Sequence, residues 1–286
     1  MRVEIDHQAG FCFGVIKAIQ KAEEYLEQHP YLFCLGQMVH NEAEVSRLEK
    51  KGLRTISRHE YEKLTNETVL LRAHGEAVRT YQQARGNAVS LIDATCPIVL
   101  NLQQKIRKCC DENKGQILIF GKKDHPEAVG LQSQCDNQQI VVTTSPDELS
   151  LNYQKPVDIF AQTTMDQELY EDFVAQVRAQ AEKQVENANI RVHPSLCGHV
   201  ANRAKQLRVF AGNFDVILFV SGKNSSNGNY LYQVSKAVNP YSYFISDASQ
   251  IPSHWFIDAE SVGISGATST PQWLLHEVKT VVEKIC

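Results

Sequence analysis

Short apolar runs recur along the chain, each followed by a polar loop and then by a stretch with helical period. The runs are Val3–Ile5, Leu32–Leu35, Leu53–Ile56, Val69–Leu71, Val89–Ile92, Ile117–Phe120, Ile140–Thr143, Val157–Phe160, Ile190–Val192, Val216–Val220, Ser242–Ile245 and Ser261–Ile264. Three to five apolar residues bounded by turn residues read as buried strands. Helical periods fall over Val15–Gln28, Glu42–Lys51, Ile98–Asp111, Asp166–Val185, Asn202–Phe210 and Pro271–Ile285. Strand, loop and helix in alternation predict a parallel α/β architecture.

The runs fall into three groups of four, provided that the N-terminal run closes the last group. Each group ends near a cysteine: Cys12 in Gly10-Phe11-Cys12-Phe13-Gly14, Cys96 in Asp93-Ala94-Thr95-Cys96-Pro97, and Cys197 in Ser195-Leu196-Cys197-Gly198. The spacing suggests an internal repeat. The expected fold is a trefoil of three small parallel-sheet units around a centre to which each contributes one thiolate. The units would span 13–96, 97–196, and 197–286 together with 1–12, so that the N-terminal strand completes the third. At the second cysteine, Thr95 is placed to cap the next helix and Pro97 to open it.

Composition narrows the chemistry. The 286 residues carry a formal net charge of −4 and eight cysteines. A mildly acidic chain is unsuited to non-specific nucleic-acid binding. No apolar run approaches a membrane span, and the N-terminus lacks a signal-peptide pattern, so a cytoplasmic setting is expected. Cysteines kept reduced there point to metal or redox chemistry rather than to a disulfide framework. Three thiolates suit a [4Fe–4S] cluster with one open iron, and a zinc ion is the competing assignment. Cys34, Cys109, Cys110 and Cys135 read as small hydrophobes. Cys286 has no visible role.

In parallel sheets, ligands bind beyond the carboxyl ends of the strands. The loops there are Gly36–Asn41 with His40, Arg72–Glu76 with His74, Gly121–Glu127 with His125 and Glu127, Ala161–Thr164 with Thr163, Ser221–Asn229 with Ser225, Ser226 and Asn227, and Ser265–Pro271 with Ser269. Hydroxyls, amides, imidazoles and helix N-termini bind phosphate oxygens. Taken singly, each loop reads as caps and turns; six polar strand ends together point to a binding role. Glu127 stands in a helix's first turn, where a carboxylate favours the helix dipole. Near a water-poor centre it would instead serve as a general acid, in a relay with His125 and Thr163.

These residues, with Val39-His40-Asn41, Ala73-His74-Gly75, His125-Pro126-Glu127, Gln162-Thr163-Thr164, Ser221-Gly222-Lys223-Asn224-Ser225-Ser226-Asn227 and Ser269-Thr270-Pro271, resemble the IspH/LytB family over essentially the whole chain. That family comprises 4-hydroxy-3-methylbut-2-enyl diphosphate reductases of the non-mevalonate isoprenoid pathway. The resemblance implies an iron–sulfur oxidoreductase that expels the substrate's C4 hydroxyl as water, giving isopentenyl and dimethylallyl diphosphates. It implies Cys12, Cys96 and Cys197 as ligands of the central cluster. His40, His74, His125, Ser225, Ser226, Asn227 and Ser269 would hold the diphosphate. Thr163 and Glu127 would organise the hydroxyl and deliver protons. A flavodoxin or ferredoxin is the implied electron donor. The chain departs from the family after the third cysteine, where Val200 lacks a usual hydroxyl and His199 adds a titratable group. The residues alone leave two other readings open: a zinc-dependent hydrolase of a phosphorylated metabolite, and a non-enzymatic cluster- or phosphate-binding scaffold.

Overall fold

The computed structural model of the chain describes residues 1–112, 115–135 and 140–285, with the side chains of Glu148 and Ser226 outside the description. The strands are β1 (Arg2–Ile5), β2 (Leu32–Leu35), β3 (Leu53–Ile56), β4 (Thr68–Leu71), β5 (Ser90–Asp93), β6 (Gln116–Phe120), β7 (Ile140–Thr143), β8 (Val157–Ala161), β9 (Ile190–Val192), β10 (Val216–Val220), β11 (Ser242–Ile245) and β12 (Ser261–Gly266). The helices are α1 (Phe13–Leu26), α2 (Glu42–Lys50), α3 (Arg58–Tyr61), α4 (Val78–Gly86), α5 (Pro97–Glu112), α6 (Pro126–Gln132), α7 (Gln167–Gln184), α8 (Gly198–Ala211), α9 (Ser226–Val238) and α10 (Gln272–Ile285).

Three four-stranded sheets result, with orders β3-β2-β4-β5, β7-β6-β8-β9 and β11-β10-β12-β1. The strand pairs whose register is described are parallel, as Phe120↔Ala161 and Val220↔Gly266 illustrate. Counted along the chain from β2, β6 and β10, each sheet has the order second, first, third, fourth. The expected repeat is therefore present, and β1 does complete the last sheet, beside β12. Burial follows from position. The inner strands β8 and β10 are buried at all five residues, while the edge strands β1, β5 and β9 are half-exposed. Inner parallel strands are covered on both faces and so read as unbroken apolar runs.

By density of contacts the chain divides into two units, 1–61 with 202–286, and 62–201. The first has a core of Leu218, Val220, Val262 and Ile264 under Leu274, Leu275, Val278 and Val282 of α10. In the second, Leu118, Phe120 and Ile159 pack on Tyr170, Phe173 and Val177 of α7. On the other face, Ile117, Ile119 and Phe160 pack on Leu102 and Ile106 of α5 and Leu131 of α6. Emptying one such position, as in Phe173→Ala, costs about 3–5 kcal/mol.

Some boundaries differ from the sequence reading. Ala88 adopts a positive φ of 53°, and the Val89 amide closes back onto the Ala84 carbonyl, so the fourth strand of its group starts at Ser90 instead of Val89. Helices α4 and α9 were not expected from periodicity. The first buries only Thr80 and Ala84, and the second opens on Ser-Asn-Gly-Asn, which reads as a loop until Ser225 caps it. Cys110 and Cys135, expected to be small hydrophobes, pack together at the edge of a core cluster with Cα atoms 5.9 Å apart. The end of α5 and the turn after α6 pack on one core cluster, which places these two residues side by side.

Candidate active site

Each of the edge strands β1, β5 and β9 leads to a cysteine that stands just before a helix. Cys12 is the N-cap of α1, and Cys96 and Cys197 precede α5 and α8. Their carbonyls accept the first helical bonds, from Ile16 N at 3.0 Å, Leu100 N at 3.0 Å and Ala201 N at 2.9 Å. Their own amides donate to the loop that follows the neighbouring strand: Cys12 to Thr268 O at 3.3 Å, Cys96 to Ala73 O at 3.0 Å, and Cys197 to Thr163 O at 2.8 Å. The same pair of bonds thus fixes all three backbones, and all three residues are half-buried. Cys96, not Thr95, takes the capping position. The Thr95 hydroxyl turns back to Asp93 Oδ1 at 2.5 Å. Ahead of Cys12, Gly10 has a φ of +108°, and a Cβ there would stand 2.5 Å from Gln272 Nε2. That Gln272 amide donates to Ala9 O at 2.6 Å, so only glycine fits this turn.

In the first unit, polar groups gather at the ends of β10 and β12. Ser225 caps α9 by accepting from Gly228 N at 3.0 Å, and its hydroxyl meets that of Ser269 at 3.2 Å. Asn227 Nδ2 donates to Thr268 Oγ1 at 2.9 Å. Ser226 opens α9, and its side chain lies outside the described residues. The first turn of α9 contains no acidic residue; the carboxylate nearby is Glu42 of α2, whose Oε1 accepts from Asn224 Nδ2 at 3.3 Å, two residues ahead of the helix. His40 stands after β2, just before Asn41, which caps α2 by accepting from Glu44 N at 3.1 Å. A Cβ on Gly222 would strike the His40 carbonyl oxygen, so glycine at 222 lets the loop after β10 run close to His40.

In the second unit the equivalent ends of β6 and β8 carry a different set. His125 caps α6 with Nδ1, which accepts from Glu127 N at 3.2 Å, a bond that leaves the proton on Nε2. His74 lies edge-on to it, ring centroids 5.4 Å apart at 85°. Glu127 is 1 % exposed. Its two oxygens accept from Thr163, Oε1 from the amide at 2.7 Å and Oε2 from the hydroxyl at 3.0 Å. Burial pushes the Glu127 carboxyl up to about 7, against the opposing pull of the two Thr163 donors. Desolvation penalises the charged form, so the group is held near half-protonation at neutral pH. Thr163 therefore joins two predicted residues directly: its carbonyl holds Cys197 and its N–H and O–H hold Glu127.

The predicted residues divide cleanly. Cys12, His40, Ser225, Ser226, Asn227 and Ser269 belong to the first unit, and His74, Cys96, His125, Glu127, Thr163 and Cys197 to the second. One structural partner was missed. Thr268 holds the Cys12 amide and the Asn227 side chain, as Thr163 holds Cys197 and Glu127. The signal was available in the repeat, because both residues stand just after the third strand of their group.

Fold and loops define a class: an α/β protein of three like parallel sheets, each passing the chain to a helix through a cysteine. The chain matches the LytB protein family over residues 3–283, and it belongs to that family. A 4-hydroxy-3-methylbut-2-enyl diphosphate reductase of Bacteroides thetaiotaomicron is 42% identical over 281 residues, covering 97% of this chain and 96% of the relative. The protein of the same name from Phocaeicola vulgatus is 42% identical over 286 residues, covering 99% and 98%. A solved (E)-4-hydroxy-3-methyl-but-2-enyl diphosphate reductase, described as the terminal enzyme of the non-mevalonate pathway, is 30% identical with a TM-score of 0.77, covering 99% of this chain and 100% of the other. The reductase structure from Plasmodium falciparum is 23% identical with a TM-score of 0.82 and attests the fold alone.

Proposed function

We propose that this chain reduces 4-hydroxy-3-methylbut-2-enyl diphosphate, with two electrons and two protons, to water and isopentenyl or dimethylallyl diphosphate. Family membership supports the reaction. The observation that carries the residue assignment is the Thr163 junction, which joins a buried carboxyl to one of the three helix-capping cysteines. The donor set fits an iron–sulfur cluster: three half-buried cysteine sulfurs on identically braced backbones, each at the start of a helix. Cys12, Cys96 and Cys197 would hold a [4Fe–4S] cluster with one open iron. When bound, the cluster supplies electrons and a Lewis acid for a poor leaving group.

The remaining chemistry belongs to the protein's own side chains. Ser225, Ser226, Asn227 and Ser269, at the N-terminus of α9, bind the diphosphate, with His40, His74 and His125 adding N–H donors. Thr163 orients the leaving hydroxyl through its Oγ1. Glu127 delivers a proton to that oxygen, and a pKa of about 7 suits it to do so at neutral pH. The division into units 13–96, 97–196 and 197–286 with 1–12 belongs to the same reading, as do a flavodoxin or ferredoxin donor and a cytoplasmic setting. No helix among the described residues is long and apolar enough to cross a membrane.

The test is an anaerobic assay with the diphosphate substrate and a strong artificial reductant. Formation of the two five-carbon diphosphates is expected. A protein that binds iron and substrate without consuming it is a scaffold. A colourless zinc protein that cleaves phosphate esters is a hydrolase.

A further inference from the structure

The second unit contains a group of side chains that the proposed reaction does not use. Cys109 near the end of α5, Asp158 on β8 and His193 just after β9 bring a sulfur, a carboxylate oxygen and an imidazole nitrogen within 4.8 Å of one another. Asp158 is 1 % exposed on an inner strand that is otherwise apolar. Its Oδ2 is held by Arg191 Nη2 at 2.6 Å, and its Oδ1 lies 2.7 Å from His193 Nε2. The His193 ring stacks on Phe160 with centroids 4.3 Å apart and planes 6° from parallel. Cys109 reaches the same face of the sheet from α5, packed against the core cluster to which Phe160 and Ile106 belong.

We propose that Cys109, Asp158 and His193 form a binding site for a zinc-class divalent cation, separate from the three helix-capping cysteines. Thiolate, imidazole and carboxylate together are a borderline-soft donor set of the kind zinc takes. Zinc bonds of about 2.0–2.3 Å place tetrahedral donors about 3.3–3.8 Å apart, within reach of small side-chain rotations here. Arg191 acts as the outer partner that aims Asp158: it occupies Oδ2 and leaves Oδ1 toward His193. Binding replaces the Asp158–His193 hydrogen bond with two metal bonds, shifts the His193 ring proton from Nε2 to Nδ1 and releases the Cys109 thiol proton to solvent. His193 and Cys109 are only partly buried, which opens an entry route and leaves a fourth position for water. The bound ion would clamp α5, which starts after Cys96, to the segment that leads from β9 to Cys197.

The experiment uses the protein carrying its iron cofactor, titrated anaerobically with cobalt(II) as a spectroscopic probe and with zinc against a chromophoric chelator. Wild type should take up one cation per chain, with a thiolate-to-cobalt charge-transfer band in the near ultraviolet. Cys109→Ser should lose that band, and both it and His193→Ala should bind at least tenfold more weakly, with iron content unchanged. Zinc should raise the melting temperature of wild type and leave that of Cys109→Ser unmoved. Absence of cobalt uptake by wild type, or equal uptake by both variants, overturns the proposal. Iron content and substrate reduction read in the same samples separate that failure from a failure of the proposed reductase activity.

Discussion

The ends of β10 and β12 in the first unit and of β6 and β8 in the second are equivalent places in two copies of one sheet. In both, a capping side chain opens the helix after the repeat's first strand, Ser225 for α9 and His125 for α6. In both, a threonine after the third strand holds a cysteine amide, Thr268 and Thr163. They differ in what fills the helix's positive end. The first turn of α9 carries hydroxyls and amides and no acid of its own. At α6 the protein's own Glu127 occupies the first turn, is sealed from water and is driven toward protonation. On the proposed reading, one scaffold serves as an anion site where the first turn omits the acid and as a proton donor where it supplies one.

The largest effect should come from removing what both copies share. Cys12→Ser and Cys197→Ser, one in each unit, should each abolish most bound iron and lower activity at least a hundredfold, measured by iron and labile sulfide analysis beside the assay. Retention of full iron by either would remove that cysteine from the ligand set. Next, Glu127→Gln keeps the shape and the acceptor for the Thr163 amide, reverses the second contact so that the new Nε2 donates to Thr163 Oγ1, and removes the acidic proton. Turnover should fall about 10²–10⁴-fold with KM and iron content little changed, the range for a lost general acid. A rise in KM alone would instead place Glu127 with the binding groups.

The pH dependence sharpens the same contrast. A carboxyl raised to about 7 is protonated below that value and lost as an acid above it. Turnover should decline about tenfold per unit on the alkaline side of pH 7, and Glu127→Gln should not show that limb. For stability, the folded state binds the Glu127 proton more tightly than the unfolded chain does. This group's contribution is therefore most favourable below the ordinary carboxyl value of 4.5 and is lost as pH rises from there to about 7. A melting series on the apoprotein should show that loss in wild type and not in Glu127→Gln. The smallest effect belongs to the anion copy. Ser225→Ala removes the α9 cap and the Ser269 partner, costing about 1 kcal/mol of stability. KM should rise about tenfold, as for one lost hydrogen bond to a charged group, with kcat within a few-fold. A fall in kcat at constant KM would contradict the anion assignment.

What could be read from the chain in advance follows the range of the interaction. The strands were legible because each is a short apolar run, and the grouping in fours because each group ends on a cysteine. Glu127 in a first turn was legible from His125-Pro126-Glu127. Its burial was not, since Thr163 lies 36 residues away. For the same reason the capping role passed from Thr95 to Cys96: Asp93 competes for the threonine hydroxyl, and local cap statistics do not include that competitor. Helix α9 was hidden by Asn-Gly-Asn, a loop pattern overruled once Ser225 and the sheet fix the helix start. The Cys109, Asp158 and His193 cluster carries no local signal, because its members come from a helix, a strand and the turn after another strand, far apart along the chain.

The most direct test of the central claim, that the repeated sheets present three thiols for one iron–sulfur centre, is metal and labile-sulfide analysis of anaerobically purified wild type and of Cys12→Ser, Cys96→Ser and Cys197→Ser. Wild type should hold about four irons and four sulfides per chain, and each single substitution should strip most of them while Cys34→Ser does not. Iron and sulfide retained in any of the three, or zinc in place of iron in wild type, would contradict the account.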